Sequence, residues 1–473
     1  MRDQVTTSRR DLGEVTSNIH QDERGESRLI KAIHSGQMIR GSWLLPHATE
    51  RLIDHERDGV LVFDDQGVIL ELISASDWSI RFPDHSIPAH TRPGTLWMPG
   101  FVDTHVHYPQ TAIIGSASGP LLEWLATSVF PEEARFADRS YAELIAERFC
   151  SSMLSQGTTT AAIFSSSHIE ATDVLFNTLA RFRLGAELGL TLMDRGAPDD
   201  VLCPADKAIA DSSELIDRWH NEDDGRLRFC VTPRFGLSCT PHLLREAGRL
   251  AARHELFVQT HISENSAELT ATAEAFPQAR DYLAVYEEFG LLHERSLFAH
   301  CIWLSDSEWS RLAQARASVA HCPDSNFFLG SGSMPLSESF KRQVHVGLGS
   351  DVGAGRSFSM RRACARAYDA SRITSSAVSP MELLWLASRG GALALHREDI
   401  GVIHPGAFAD VICLEPPPMT TIVSGENRDL NPFAERSLET LIAQLIFCED
   451  WDATRDVYTR GERRWSSSTN SKT

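Results

Sequence analysis

The sequence predicts an α/β protein: a (β/α)8 TIM-like barrel with a small β-sandwich domain built from both termini. Three observations lead there. Between residues 97 and 395, eight short apolar runs alternate with amphipathic, helix-like stretches. Strand-and-turn patterns flank this middle on both sides, over residues 31–96 and 396–465. The polar residues that end the apolar runs are mostly histidines with one late aspartate, and a barrel gathers strand ends at one mouth.

In chain order, residues 1–30 are polar and charged and are expected to form a disordered extension holding at most a turn of helix; they lack the apolar stretch of a secretory signal. GVLVFDDQGVILELIS (59–74) has the alternation and turn residues of a hairpin. The barrel runs follow: LWMPGFVD, GTTTAAIF (157–164), LGLTLMD (188–194), LRFCVTP (227–233), LFVQTH (256–261), SLFAHC (296–301), ASVAHC (317–322) and HVGLGSD (345–351). Helices are expected between them. SYAELIAERFCSSML (140–154) repeats Ala142, Ile145, Phe149 and Met153 on one face, and Pro241 suits the first turn of the next. Ser305 and Glu308 have capping-box spacing. ADVICLEPP, LIFCEDW and RDVYTRGERRW read as strands returning to the small domain, with a frayed end after Trp465.

At 473 residues the chain suits one large domain plus a smaller one. A formal charge of −19 argues against a nucleic-acid partner. No apolar run reaches the ~20 residues of a membrane span. Nine scattered cysteines without a Cys-x-x-Cys pair read as reduced thiols in a cytoplasmic protein.

The strand ends carry the chemistry. His105 and His107 are two apart, so an extended strand presents both imidazoles to one point. Reading only the later ends adds His261, His300, His321 and Asp351. Imidazoles plus one carboxylate form the donor set of a hydrolytic zinc or iron site. Any one of these residues could be a core histidine or a helix cap, but chance does not place them selectively at one end of the strands. Glu264, three residues beyond His261, can reach the same cavity and handle protons. Arg234 follows the fourth run, where its fork suits a carbonyl or carboxylate. Gln110 offers donor and acceptor to a heterocycle edge.

With these residues in hand, PGFVDTHVHYPQ, LLEWLATSVFPEEARFAD, QGTTTAA, CVTPRFGLSC, QTHISEN, AHCIWLSDSE, HCPDSNFFLGSG, GLGSDVGAGRSFSM and IGVIHPGAFADVICLE resemble, in order, the amidohydrolase superfamily over roughly residues 33 to 460. The Pro-Gln after His107 and Thr-Pro-Arg-Phe are its narrower motifs. They imply hydrolytic deamination of guanine to xanthine and ammonia in purine catabolism. Carried over by position, the resemblance implies metal ligands His105, His107, His261 and Asp351, with His300 as a ligand or as a partner of the bound water. It implies one Zn²⁺ per subunit, with Fe²⁺ as the alternative, and a homodimer. Gln110, Arg234 and Phe235 would hold the purine, with His107, His261, Glu264 and Asp351 also touching it. Asp351, Glu264 and His300 would be catalytic, Asp351 taking a proton from water and Glu264 protonating ring N3. His321 is expected to be structural.

Rival readings are a relative acting on 8-oxoguanine, another aminopurine, a pterin or an s-triazine, and a non-catalytic assembly protein, against which the full ligand set argues. A nucleic-acid-editing deaminase is excluded by charge and by the missing His-x-Glu with Pro-Cys-x-x-Cys.

Overall fold

Two sheets organise the chain, and a computed structural model describes residues 27–116, 119–417 and 436–467. In the first sheet, β1 (Met38–Pro46) pairs antiparallel with β2 (Ile53–Phe63), which turns into β3 (Ile69–Ser74). The expected hairpin is present. Asp64 Oδ1 accepts from the backbone N–H groups of Gln66 and Val68, both at 2.9 Å, and so closes the turn. β4 (Leu96–Pro99) joins β1 in parallel.

The run LWMPGFVD, read as one strand, is two. β4 belongs to the terminal sheet, whereas β5 (Phe101–His107) opens the barrel. Gly100 is the crossing point: its N–H donates to Asp410 O at 2.8 Å, and a Cβ there would lie 2.1 Å from Thr159 Oγ1. Only a residue without a side chain allows that approach. Both segments are wholly buried, so apolar character continues across the break and hides it.

The barrel continues through β6 (Thr158–Phe164), β7 (Gly185–Gly189), β8 (Thr191–Leu192), β9 (Leu227–Pro233), β10 (Phe257–Ile262), β11 (Ser296–His300), β12 (Ser318–His321) and β13 (Val346–Leu348). The path is β5-β6-β7-β9-β10-β11-β12-β13, every pairing parallel, with β8 a short extension against β9. Just beyond β13 the seam is nearly closed: Asp351 N–H donates to His105 O at 2.8 Å, and His107 N–H to Val352 O at 3.0 Å. β7 begins at Gly185, before the expected run at 188, and takes in Glu187. A glutamate reads as a strand breaker, but this one is 2% exposed and lies 3.6 Å from Arg228 Nη1.

The expected helices form where their signals stand. Arg139–Ser155 buries Ala142, Ile145, Phe149 and Met153. Pro241–His254 starts on Pro241 behind the Thr240 cap, and Asp306–Gln314 has the reciprocal Ser305–Glu308 box. The chain then returns through β14 (Val411–Leu414), β15 (Thr454–Thr459) and β16 (Glu462–Ser466), completing a seven-stranded sheet in the order β16-β15-β14-β4-β1-β2-β3.

LIFCEDW is not a strand; it begins inside the helix Leu438–Phe447. Leu441, Ile442, Leu445 and Ile446 bury one helical face behind the Ser437 cap, a spacing that a seven-residue window cannot display. Arg28–His34 is also helical, while residues 1–26 of the expected extension lie outside the described residues. Among the described residues no helix is long and apolar enough to cross a membrane.

Candidate metal centre

The strand geometry aims His105 and His107 at one point: their Nε2 atoms are 3.2 Å apart. His261 Nε2, at the end of β10, lies 3.2 Å from that of His107. Asp351 Oδ1, just past β13, is 3.3 Å from His105 Nε2 and 3.4 Å from His107 Nε2. His300 closes the group from β11, with Nε2 3.8 Å from Asp351 Oδ2 and 3.4 Å from Glu264 Oε2. The loops that deliver these groups turn through left-handed backbone at Ser263, His300, Cys301 and Asp351, with φ between 48° and 74°. Non-glycine residues rarely hold that conformation, and it costs of order 1–3 kcal/mol each. Such strain concentrates where side chains must be aimed rather than merely packed.

These donors fit a divalent cation. His261 Nδ1–H donates to Arg234 O at 2.6 Å, which leaves its Nε2 as a bare lone pair. Burial pushes the His107 imidazole down to about 3, partly offset by Asp351, and holds His261 well below its ordinary value. Both rings are therefore neutral, and a neutral imidazole can turn a lone pair toward a shared ion. Tetrahedral coordination at about 2.0–2.1 Å brings neighbouring ligand atoms to about 3.3–3.4 Å, close to the 3.2–3.4 Å between the donors here. Asp351 is buried, yet His105, His107 and His300 hold its carboxyl well below the usual carboxylate range, as a ligand requires.

Other residues fix the donors. His300 Nδ1–H donates to Asn326 Oδ1 at 2.9 Å, and Ser325 Oγ donates to Asp351 Oδ2. Both partners sit in HCPDSN, which was legible as a motif but not as two hydrogen-bonding groups. The Phe164 ring packs 4.6–4.9 Å, centroid to centroid, from His105, His107 and His261. His321 lies outside the cleft lining; burial, then His300, pushes its imidazole down to about 3, so it is neutral.

Beside the donors is a cleft lined by His107, Gln110, Arg234, Phe235, His261, Glu264, His300 and Asp351. Leu121, Trp124, Leu125, Leu329 and Ala354 complete an apolar wall. Gln110 reaches it from the short helix after β5, where Gly353 N–H donates to its Oε1 at 3.1 Å. Arg234 is 3% exposed and donates from Nη1 to Glu133 Oε2 at 2.6 Å. Glu133 was not singled out from the sequence: a second glutamate in FPEEARF carries no periodic signal. Burial raises the Glu264 carboxyl well above its ordinary value, reinforced by the Asp351 and Glu268 carboxylates. A cluster of metal-type donors, a carboxyl with a raised pKa and a cationic fork thus border one cleft with an apolar wall.

The profile of the Amidohydrolase family matches residues 96–437. Guanine deaminase of Escherichia coli K12 is 36% identical over 398 residues, covering 82% of this chain and 90% of that protein. Among solved structures, E. coli guanine deaminase superposes with a TM-score of 0.82 at 33% identity, covering 91% of this chain and 99% of the other. Guanine deaminase from C. acetobutylicum with bound guanine in the active site gives 0.80 at 27% identity, over 90% and 99%. With its barrel, its buried histidine–aspartate centre and this extent of matching, the chain belongs to the amidohydrolase family.

Proposed function

We propose that the chain is a guanine deaminase, converting guanine and water to xanthine and ammonia. The observation that carries the reading is the convergence of His105, His107, His261 and Asp351 beside a cleft whose rim bears Arg234 and Gln110. Relatives matching along most of the chain bear that name.

The ligands would be His105, His107, His261 and Asp351, with His300 as a fifth donor or as hydrogen-bond partner of the attacking water. A divalent ion held by them supplies Lewis acidity, which makes water nucleophilic at neutral pH. Asp351 accepts the proton that this water gives up. Glu264, protonated at rest, delivers its proton to ring N3 and so relieves the aromatic resistance to attack at C2. Asp351 then passes its proton to the exocyclic nitrogen, which leaves as ammonia, and the hydroxyl left at C2 returns a proton to Glu264 as the 2-oxo group forms. Arg234 donates to the 6-oxo group, Gln110 bonds the ring edge, and Phe235 covers a face of the purine. An amine at position 6 sets donor against donor, so adenine is rejected.

The ion we assign is Zn²⁺, one per subunit, because imidazole and carboxylate suit it; Fe²⁺ satisfies the same donors. We further propose a cytoplasmic homodimer acting in purine catabolism. Eight of nine cysteines are buried free thiols, which agrees with reducing surroundings. The test is a steady-state assay of purified protein with guanine, following xanthine and ammonia before and after chelation. Activity lost on chelation and restored by Zn²⁺ is expected. Turnover of 8-oxoguanine, a pterin or an s-triazine in place of guanine would overturn the substrate assignment.

A further inference from the structure

Behind the cleft wall, one carboxylate is shared by two groups that face the substrate. Glu133 ends the short helix Phe130–Glu133 and is 4% exposed. Its Oε2 accepts from Arg234 Nη1 at 2.6 Å, and its Oε1 accepts from Gln110 Nε2 at 3.4 Å. Its neighbour Glu132 serves a local purpose, accepting from Arg135 Nη1 at 2.9 Å and from the Tyr141 hydroxyl. Glu133 is turned the other way, toward a residue 101 positions along the chain. It lies outside the cleft lining and so meets the substrate only through its two partners.

Two physical facts give this contact a role beyond packing. A buried guanidinium needs a counter-charge, and the side that carries the counter-charge determines which N–H groups remain free. A carboxamide can also be turned over at little steric cost, exchanging donor for acceptor. Here Gly353 N–H holds Gln110 Oε1 at 3.1 Å while Glu133 takes the Nε2 end, so the two together select one orientation.

We propose that Glu133 is the specificity-positioning residue of the cleft, holding the Arg234 fork and the Gln110 amide in the orientation that presents donors to an oxo group on the purine. This rests on the guanine reading above. Glu133 does not act on the reacting atoms; its effect is on which purine edge is accepted.

The test compares guanine with 2-aminopurine, which keeps the leaving amine and ring N3 but lacks the 6-oxo group and the N1–H that goes with it. Glu133→Gln removes the charge and leaves one acceptor where Arg234 and Gln110 had two, so one of the two contacts becomes donor against donor. In that variant kcat/KM for guanine is expected to fall about 10²-fold, mainly through KM, while that for 2-aminopurine falls less than about threefold, so their ratio collapses. Glu133→Asp keeps the carboxylate with a shorter reach and should give an intermediate ratio, a readout that serves even if Glu133→Gln fails to fold. Equal losses on both substrates, or a wild-type ratio in the variants, would overturn the role of Glu133 alone. Wild-type protein inactive on guanine would overturn the guanine reading and this inference with it.

Discussion

Replacing Glu264 by Gln probes the proton economy of the proposed reaction with little change of shape. The carboxyl is 3% exposed, lies 3.4 Å from His300 Nε2, and is raised well above its ordinary value by burial, then by Asp351 and Glu268. That direction favours the protonated form, which the mechanism asks to give its proton. An amide can still donate a hydrogen bond there, but it cannot transfer a proton. General acid–base help of this kind is worth about 10²–10⁴-fold, or ~3–5 kcal/mol of barrier. The loop should keep its place, because Glu268 Oε2 accepts from Glu264 N–H at 2.8 Å and from Asn265 N–H at 3.1 Å. The assay is xanthine formation at saturating guanine, with metal content measured on the same preparation. We expect kcat to fall by that factor at unchanged metal occupancy. In the wild type, kcat should decline as pH rises through the raised carboxyl pKa, the sign expected of an acid that must be protonated. Full activity in the variant would remove Glu264 from the mechanism. Parallel loss of metal and activity would instead make it part of the metal site.

Three further perturbations have defined outcomes. Burial raises the Glu187 carboxyl from 4.5 to about 7 despite nearby Arg228, so its stabilising protonated form is fully present below pH 4.5 and is lost as pH rises through about 7. Glu187→Gln should therefore be more stable than wild type by ~1–3 kcal/mol at about pH 8 and equal to it near pH 4 in denaturant unfolding; the opposite pH trend would refute this. At Gly349 an added Cβ would sit 2.8 Å from both His105 Cβ and Cys322 Sγ, so Gly349→Ala should displace His105 and weaken metal retention against a chelator by about tenfold or more. Unchanged retention would mean that the strand yields instead. Asn326→Ala frees His300 Nδ1 and should cost about 10–100-fold in kcat/KM with little change in the melting midpoint. A wild-type rate would leave Asn326 without a role in aiming His300.

Much of the centre was legible in one dimension because the backbone imposes its own period. Two residues apart on a strand means the same face, which paired His105 with His107, and strand ends mean the barrel mouth, which added His261, His300 and Asp351. Capping at Ser305 and the apolar face of Arg139–Ser155 were local for the same reason. Other features have no local signal. Gly100 looks like any glycine until Thr159 is brought against it, and Glu187 looks like a surface acid until Arg228 faces it inside the barrel. The pairing of Glu133 with Arg234 spans 101 residues, and that of His300 with Asn326 joins neighbouring strand ends. A repeat along the chain reports which way a side chain points. What it meets there depends on how strands close around a common axis, and each buried charge or amide then takes the orientation its through-space neighbours satisfy.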